Sequence, residues 1–164
     1  MKSEFVVCAR YHPLAKWFDN LTFYFQRYNG KTKGEKIYLS IIGEVYDVSN
    51  GGAKFYAEGR GYHGFAGRDA AVPFVNLKFT EEEAAKSTDV LKDSELQGLK
   101  TWVDFYKNEE RYLYMGRLVG RYYDSEGKPT EEMQKVLTRW ENYVPPPPRK
   151  RRKPKEGRKA KAKN

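Results

Sequence analysis

The stretch FYAEGRGYHGFAGRDA (Phe55–Ala70) gathers the residues of this chain best placed to do chemistry. Its sixteen positions hold two tyrosines, four glycines, a histidine and an Arg68-Asp69 turn that follows a glycine. Glycine at that density lets the backbone take positive φ and approach a partner closely. A tyrosine fixed among such turns presents its phenol instead of burying it in a sheet. That phenol is one of the few side-chain groups able to ligate a haem iron. No nucleophile–base pair, metal-ligand cluster or phosphate-cradling loop stands out in the sequence, so a binding role is expected and an enzyme is not.

The elements around the stretch must position it. Ile37–Ile42 and Val45–Ser49 read as short strands, and Gly43-Glu44 as a two-residue hairpin connection of the glycine-first kind. Asp69 reads as the N-cap of a following helix. Pro73 fits only a first helical turn, so that helix starts at or just before it. Thr80-Glu81-Glu82-Glu83 has the pattern of a capping box. Ser94 precedes a further helix with Leu96, Leu99, Trp102, Val103 and Tyr106 on one face. Tyr112–Val119 is strand-like and Asp124–Lys128 is a turn. Thr130 then caps a last helix with Met133, Val136, Leu137, Trp140 and Val144 on one stripe. Pro145–Pro148 end it and begin a stiff spacer. At the other end Trp17, Phe18, Phe23 and Phe25 suggest a segment packing across the domain.

The 164 residues suit one domain, and 39% hydrophobic with 15% aromatic content suffices for its core. The formal charge of +9 is unevenly placed. Pro145–Asn164 holds ten Lys/Arg against the single Glu156, which leaves 21 residues of each sign in 1–144. The body is therefore neutral, unlike a basic nucleic-acid-binding fold. Cys8 is the only cysteine, which excludes an intrachain disulfide. No apolar run approaches the ~20 residues needed to span a bilayer. Glu4–Ala9 is shorter than the apolar core of a signal peptide, about 7–15 residues.

The order strand, turn, strand, aromatic–glycine loop, then GFAGRDA resembles the cytochrome b5-like domain of the membrane-associated progesterone receptor family. The likeness runs from about Leu21 to Val144. LTFYFQRYNG (Leu21–Gly30) is similar to the family's opening segment, while IYLSIIGEVYDVSNGGAKFY (Ile37–Tyr56) and GFAGRDA (Gly64–Ala70) are the specific part. LQGLKTWVDFYKNEERYLYMGRLVGRYYDSEGKPT (Leu96–Thr130) continues it. The resemblance implies an α+β fold, a small mixed sheet with helices walling a haem cleft. It divides the chain into an N-terminal extension 1–20, a haem-binding domain 21–144 and a disordered basic tail 145–164.

A cytochrome b5 that transfers electrons holds iron between two histidines, the first in a His-Pro-Gly-Gly loop. This chain has only His12, followed by Pro-Leu, and His63, so a bis-histidine carrier is not expected. In the family the axial ligand is instead a tyrosine just before the GFAGRDA-type turn, which corresponds to Tyr62. The resemblance implies non-covalent binding of ferric haem b by this phenolate, a hard anionic donor. Tyr56, Arg111 and Tyr112 are implied as supporting residues, Arg111 through a bidentate pair with a haem propionate. Asp69 matches the family's turn aspartate and is expected to shape the loop more than to touch haem. His63 is the rival ligand; in extended chain it points to the side opposite Tyr62. Ala57-Glu58 departs from the family's usual Gly-Pro, which would loosen the loop.

The resemblance implies haem handling or regulation, in support of haem monooxygenases, sterol metabolism or haem transfer. The alternative is a structural or anchoring subunit with an empty pocket and a nucleic-acid-binding tail. RKRRKPK (Arg149–Lys155) reads as a nuclear localisation signal. The charge of residues 149–163 also suits nucleic acid or an anionic membrane surface. Family members usually carry an N-terminal anchor or signal. The expectation here is a truncated start or a soluble, intracellular protein, nuclear or endomembrane-associated.

Overall fold

A computed structural model describes residues 25–147. The expectations for the extension 1–20, for Trp17, Phe18 and Phe23, and for the tail from Pro148 onward fall outside the described residues. At the centre lies a three-stranded sheet in the order β1 (Tyr38–Ile41), β2 (Glu44–Asp47), β3 (Leu113–Arg117). Both pairings are antiparallel, Tyr38 opposite Asp47 and Glu44 opposite Arg117, with an irregularity between Val45 and Tyr46. Parallel geometry is confined to isolated bridges such as Ser40–Asp69, so the α+β architecture stands with an antiparallel sheet. The middle strand is buried along its whole length.

The hairpin differs from the sequence expectation. Ile41 pairs with Glu44, so the turn is Ile42-Gly43, with φ of 47° and 78°, and Glu44 belongs to the strand. Positive φ at both central positions is the mirror-image turn that matches strand twist. Gly43 takes it freely, but a β-branched residue does so at a cost of order 1–3 kcal/mol. Ile42 is fully buried, and burying such a side chain returns about 1.5–3 kcal/mol. Packing therefore decides the turn against local preference.

The second correction is a helix, α1 (Ser49–Tyr56), where the sequence suggested a strand end and a loop. Its Gly51-Gly52 pair hides the signal, and the backbone is indeed non-helical at Asn50 and Gly51. Asp47 secures its start by accepting from the Ser49 backbone at 3.0 Å and the Ser49 hydroxyl at 2.5 Å. The Ser49 hydroxyl oxygen in turn accepts from Ile37 N–H at 2.8 Å. Tyr56 thus ends a helix anchored to the first two strands.

The remaining helices close the core. α2 (Pro73–Asn76) begins at Pro73, as its fixed φ requires. α3 (Glu81–Ala84) is capped by Thr80, which accepts from Glu83 N–H. α4 (Asp93–Asn108) buries Leu96, Leu99, Val103 and Tyr106, at spacings of three and four. Ser94 lies inside it, and Glu95 accepts from Lys92 N–H at 2.8 Å to cap its start. Trp102 is displaced from the buried face and stays exposed. α5 (Glu131–Glu141) packs on α4, with Thr130 as its cap. Trp140 donates to the Leu96 carbonyl at 2.8 Å, while Leu137 and Val144 remain exposed. No helix among the described residues is long and apolar enough to cross a membrane.

Candidate functional site

Tyr62 sits where the chain leaves the turn after α1 and enters a single 3-10 turn, His63–Phe65. Its N–H bonds the Phe55 carbonyl, so the turn after α1 folds back on the helix end. The ring stacks on Phe65 at 6.0 Å, meets Phe79 edge-on at 6.4 Å and lies 6.3 Å from Tyr56. Gly64 makes this possible: a Cβ there would stand 2.3 Å from the Phe79 Cβ, where no side chain fits. Tyr62 is 45% exposed, and its hydroxyl bonds no described residue. One side of this phenol is built into an aromatic wall and the other is open.

Behind it lies a layer of phenols. Tyr56 and Tyr106 share a hydrogen bond of 2.5 Å between their hydroxyls. The Tyr112 ring stacks on Tyr106 at 5.6 Å and stands 6.4 Å from Tyr56. Burial pushes Tyr56 and Tyr106 far above the ordinary phenol range, so both are neutral hydrogen-bonding groups. Burial also raises Tyr112, against the opposing pull of Tyr56 and of Arg111. Phe55, Trp102 and Phe105 extend the face outward, each roughly two-fifths exposed. Phe105 meets Tyr112 edge-on at 6.3 Å. The result is a mostly apolar surface in which the Tyr62 phenol bonds no described residue.

The site residues expected from sequence are placed unequally. Tyr56, Tyr62 and Tyr112 come together in this face. Arg111 stands at its rim, 5.9 Å over the Tyr112 ring, but its guanidinium is spent on Glu109 in a fork of 2.8 and 2.7 Å. That pair holds the Glu109 carboxyl at about 2, chiefly through the hydrogen bonds from Arg111. The fork takes two of the five guanidinium N–H groups, so a ligand carboxylate would share Arg111 with Glu109. Lys54, whose Nζ lies 5.0 Å over the Phe55 ring, is a second rim cation that sequence reasoning passed over. Tyr106 was also passed over as a site residue: its helical spacing marks it as core, and only the fold brings its hydroxyl to Tyr56.

Asp69 is elsewhere. It does not cap α2, whose N-cap is Val72 without a side-chain bond. Its carboxylate accepts instead from the Ser40 hydroxyl at 2.8 Å, Gly43 N–H at 2.6 Å and Ala71 N–H at 3.4 Å. It thereby ties the GFAGRDA turn to the β1–β2 hairpin, and burial raises its pKa despite these bonds. It lines a cavity of about 650 Å³ with His63, Arg68, Arg121 and Tyr122; none of Tyr56, Tyr62 and Tyr112 lines it. His63 Nδ1 lies 3.0 Å from the Tyr56 carbonyl. A carbonyl only accepts, so Nδ1 carries the hydrogen and Nε2 is the free nitrogen. Tyr62 and His63, adjacent in sequence, thus serve opposite sides of the loop.

Residues 24–135 match the cytochrome b5-like haem/steroid binding domain. The chain is similar to a neuferricin homolog of Drosophila pseudoobscura pseudoobscura, 44% identical over 113 residues, 68% of this chain and 38% of the relative. Mouse neuferricin is 42% identical over 110 residues, 67% of this chain and 41% of the relative. The Arabidopsis thaliana membrane-associated progesterone-binding protein 4 is 44% identical over 108 residues, 65% of this chain and 42% of the relative. The chain spans about two-fifths of the length of these relatives. A solved Arabidopsis thaliana protein described as having a cytochrome b5 like fold superposes with a TM-score of 0.50 at 33% identity. That match covers 60% of this chain and 88% of the other.

Proposed function

The chain belongs to the cytochrome b5-like haem/steroid binding domain family, and on that premise we propose that it holds ferric haem b non-covalently, with Tyr62 as the axial ligand. The observation that carries this reading is the Tyr62 phenol itself, half-exposed and without a hydrogen-bond partner among the described residues, in a wall of aromatic rings.

The residues present fit such a group. A flat macrocycle needs apolar surface on which to lie, and Phe55, Trp102 and Phe105 expose it in ring contacts that lead out from Tyr56 and Tyr112. Its carboxylates need cations or donors at the rim, where Lys54, Arg111 and the phenols of Tyr56 and Tyr112 stand. When bound, haem supplies a Lewis-acidic iron that an anionic oxygen donor favours in the ferric state. The protein's part is to present the phenol, exclude water from one side of it and orient the rim. Nothing in this arrangement calls for catalysis, and the role we propose is haem handling or regulation, including support of haem monooxygenases or sterol metabolism. Titrating the purified protein with haemin tests the reading: a stoichiometric Soret band is expected, and its absence would favour a structural or anchoring subunit.

Residues 149–163 are proposed to contact an anionic partner, because they carry the chain's net charge. If about four to six of their cations meet phosphates, log K against log salt should slope about −4 to −5 on duplex DNA. Equal binding by residues 1–144 alone would overturn this.

A further inference from the structure

The Tyr56–Tyr106 bond joins two groups that can each give or take a hydrogen, and burial decides the direction. Each phenol has one hydrogen to place. Tyr106 is 1% exposed, packed against Tyr46, Phe74, Phe105 and Tyr112, and Tyr56 is the sole hydrogen-bond partner of its hydroxyl among the described residues. If Tyr56 were the donor, the Tyr106 hydrogen would be buried with nowhere to go, which is the costly arrangement. If Tyr106 donates, its hydrogen is satisfied, and the hydrogen of Tyr56, itself only 6% exposed, turns to the Tyr112 hydroxyl, whose pKa a hydrogen bond from Tyr56 lowers. Tyr56 lies at the edge of the aromatic face, 6.3 Å from Tyr62 and 6.4 Å from Tyr112 between ring centres.

We propose that Tyr106 is a positioning residue. Its buried hydroxyl donates to Tyr56 and so turns the Tyr56 hydrogen to Tyr112, which leaves the Tyr112 hydrogen, on the Tyr62–Tyr112 face, as a preset donor for an anionic oxygen of the bound ligand. The ligand class is a molecule carrying a carboxylate at that face. This deepens the haem reading and rests on it for the ligand's identity, whereas the direction of the bond is a property of the protein alone. Preorganisation of this kind spares the ligand the ordering of a free hydroxyl rotor.

The test has two arms on the full chain. In the ligand-free protein, Tyr56→Phe leaves the Tyr106 hydroxyl buried and unpartnered, so its thermal midpoint should fall by several degrees. Tyr106→Phe should fall less, and the Tyr56→Phe/Tyr106→Phe double variant should recover part of the Tyr56→Phe loss. A slowly exchanging hydroxyl proton, correlated by NMR with the Tyr106 ring, should be present in the parent and absent from both single variants. In the second arm, Tyr106→Phe should weaken haemin affinity about three- to tenfold while leaving the shape of the bound spectrum unchanged. If the slowly exchanging proton correlates with the Tyr56 ring and not with Tyr106, Tyr106 is not the donor. Unchanged haemin affinity in Tyr106→Phe would remove the positioning role even if the donor direction held. No Soret band in the parent would instead sink the haem reading, and the ring to which the hydroxyl proton correlates would then alone decide the direction of the bond.

Discussion

At Tyr62 the chain exposes a phenol that no described residue bonds; at Asp69, in the same glycine-rich segment, it sinks a carboxylate that three groups bond. The first half of Phe55–Ala70 belongs to an aromatic face whose polar groups are left free or turned outward. The second half belongs to a scaffold in which the carboxylate holds a strained hairpin turn. A contiguous motif therefore carries two jobs, and hydrogen-bond satisfaction tells them apart. Residues whose acceptors are all filled hold the fold, and those with an unfilled group that is also exposed are available to a ligand.

Substitutions should separate the halves. The largest loss of stability is expected at Asp69→Ala, which strands the Ser40 hydroxyl and Gly43 N–H beside a positive-φ Ile42. About 2–4 kcal/mol should disappear in denaturant titration. Tyr62→Phe should leave stability within about 0.5 kcal/mol of the parent, because the hydroxyl bonds no described residue. A large loss there would mean that the phenol is structural and would collapse the contrast. Tyr46→Phe should be neutral or slightly stabilising, since the Tyr46 hydroxyl is buried without a partner among the described residues. Ending the chain after Val144 should leave the thermal midpoint unchanged, because the buried hydrophobic residues described all lie between Phe25 and Val136.

Acid sharpens the scaffold side by setting two carboxylates against each other. Burial raises Asp69 above the ordinary 3.8, so its contribution to stability is greatest below that value and declines as pH rises through the raised one. Asp47 behaves oppositely. Burial alone would raise it, but the hydrogen bonds from Lys36 and Ser49 outweigh burial and lower it. Its contribution is full above 3.8 and is lost as pH falls through the lowered value. The penalty of Asp69→Asn should therefore shrink as pH rises across this window while that of Asp47→Asn grows. Parallel penalties would contradict the assignment.

What was legible in the sequence follows the same division. Periodic apolar spacing exposed α4 and α5, and Pro73 fixed the start of α2, because those signals are local. The turn at Ile42-Gly43 was not legible, since a bond from Asp69 and the burial of Ile42 override the local preference. Helix α1 was masked by Gly51-Gly52, and its anchor at Asp47 comes from the preceding strand. Tyr56, Tyr62 and Tyr112 could be named through a motif. Tyr106, Lys54 and the Glu109 fork on Arg111 could not, because they depend on which side chains the fold brings together.

The central claim is that the phenol of Tyr62, and not the imidazole beside it, faces the ligand. Haemin spectra of the parent, Tyr62→Phe and His63→Ala, recorded side by side, test it most directly. The parent should show a ferric tyrosinate spectrum, His63→Ala should keep it nearly intact and Tyr62→Phe should abolish it. A spectrum that survives Tyr62→Phe and disappears in His63→Ala would hand the iron to the other side of the loop.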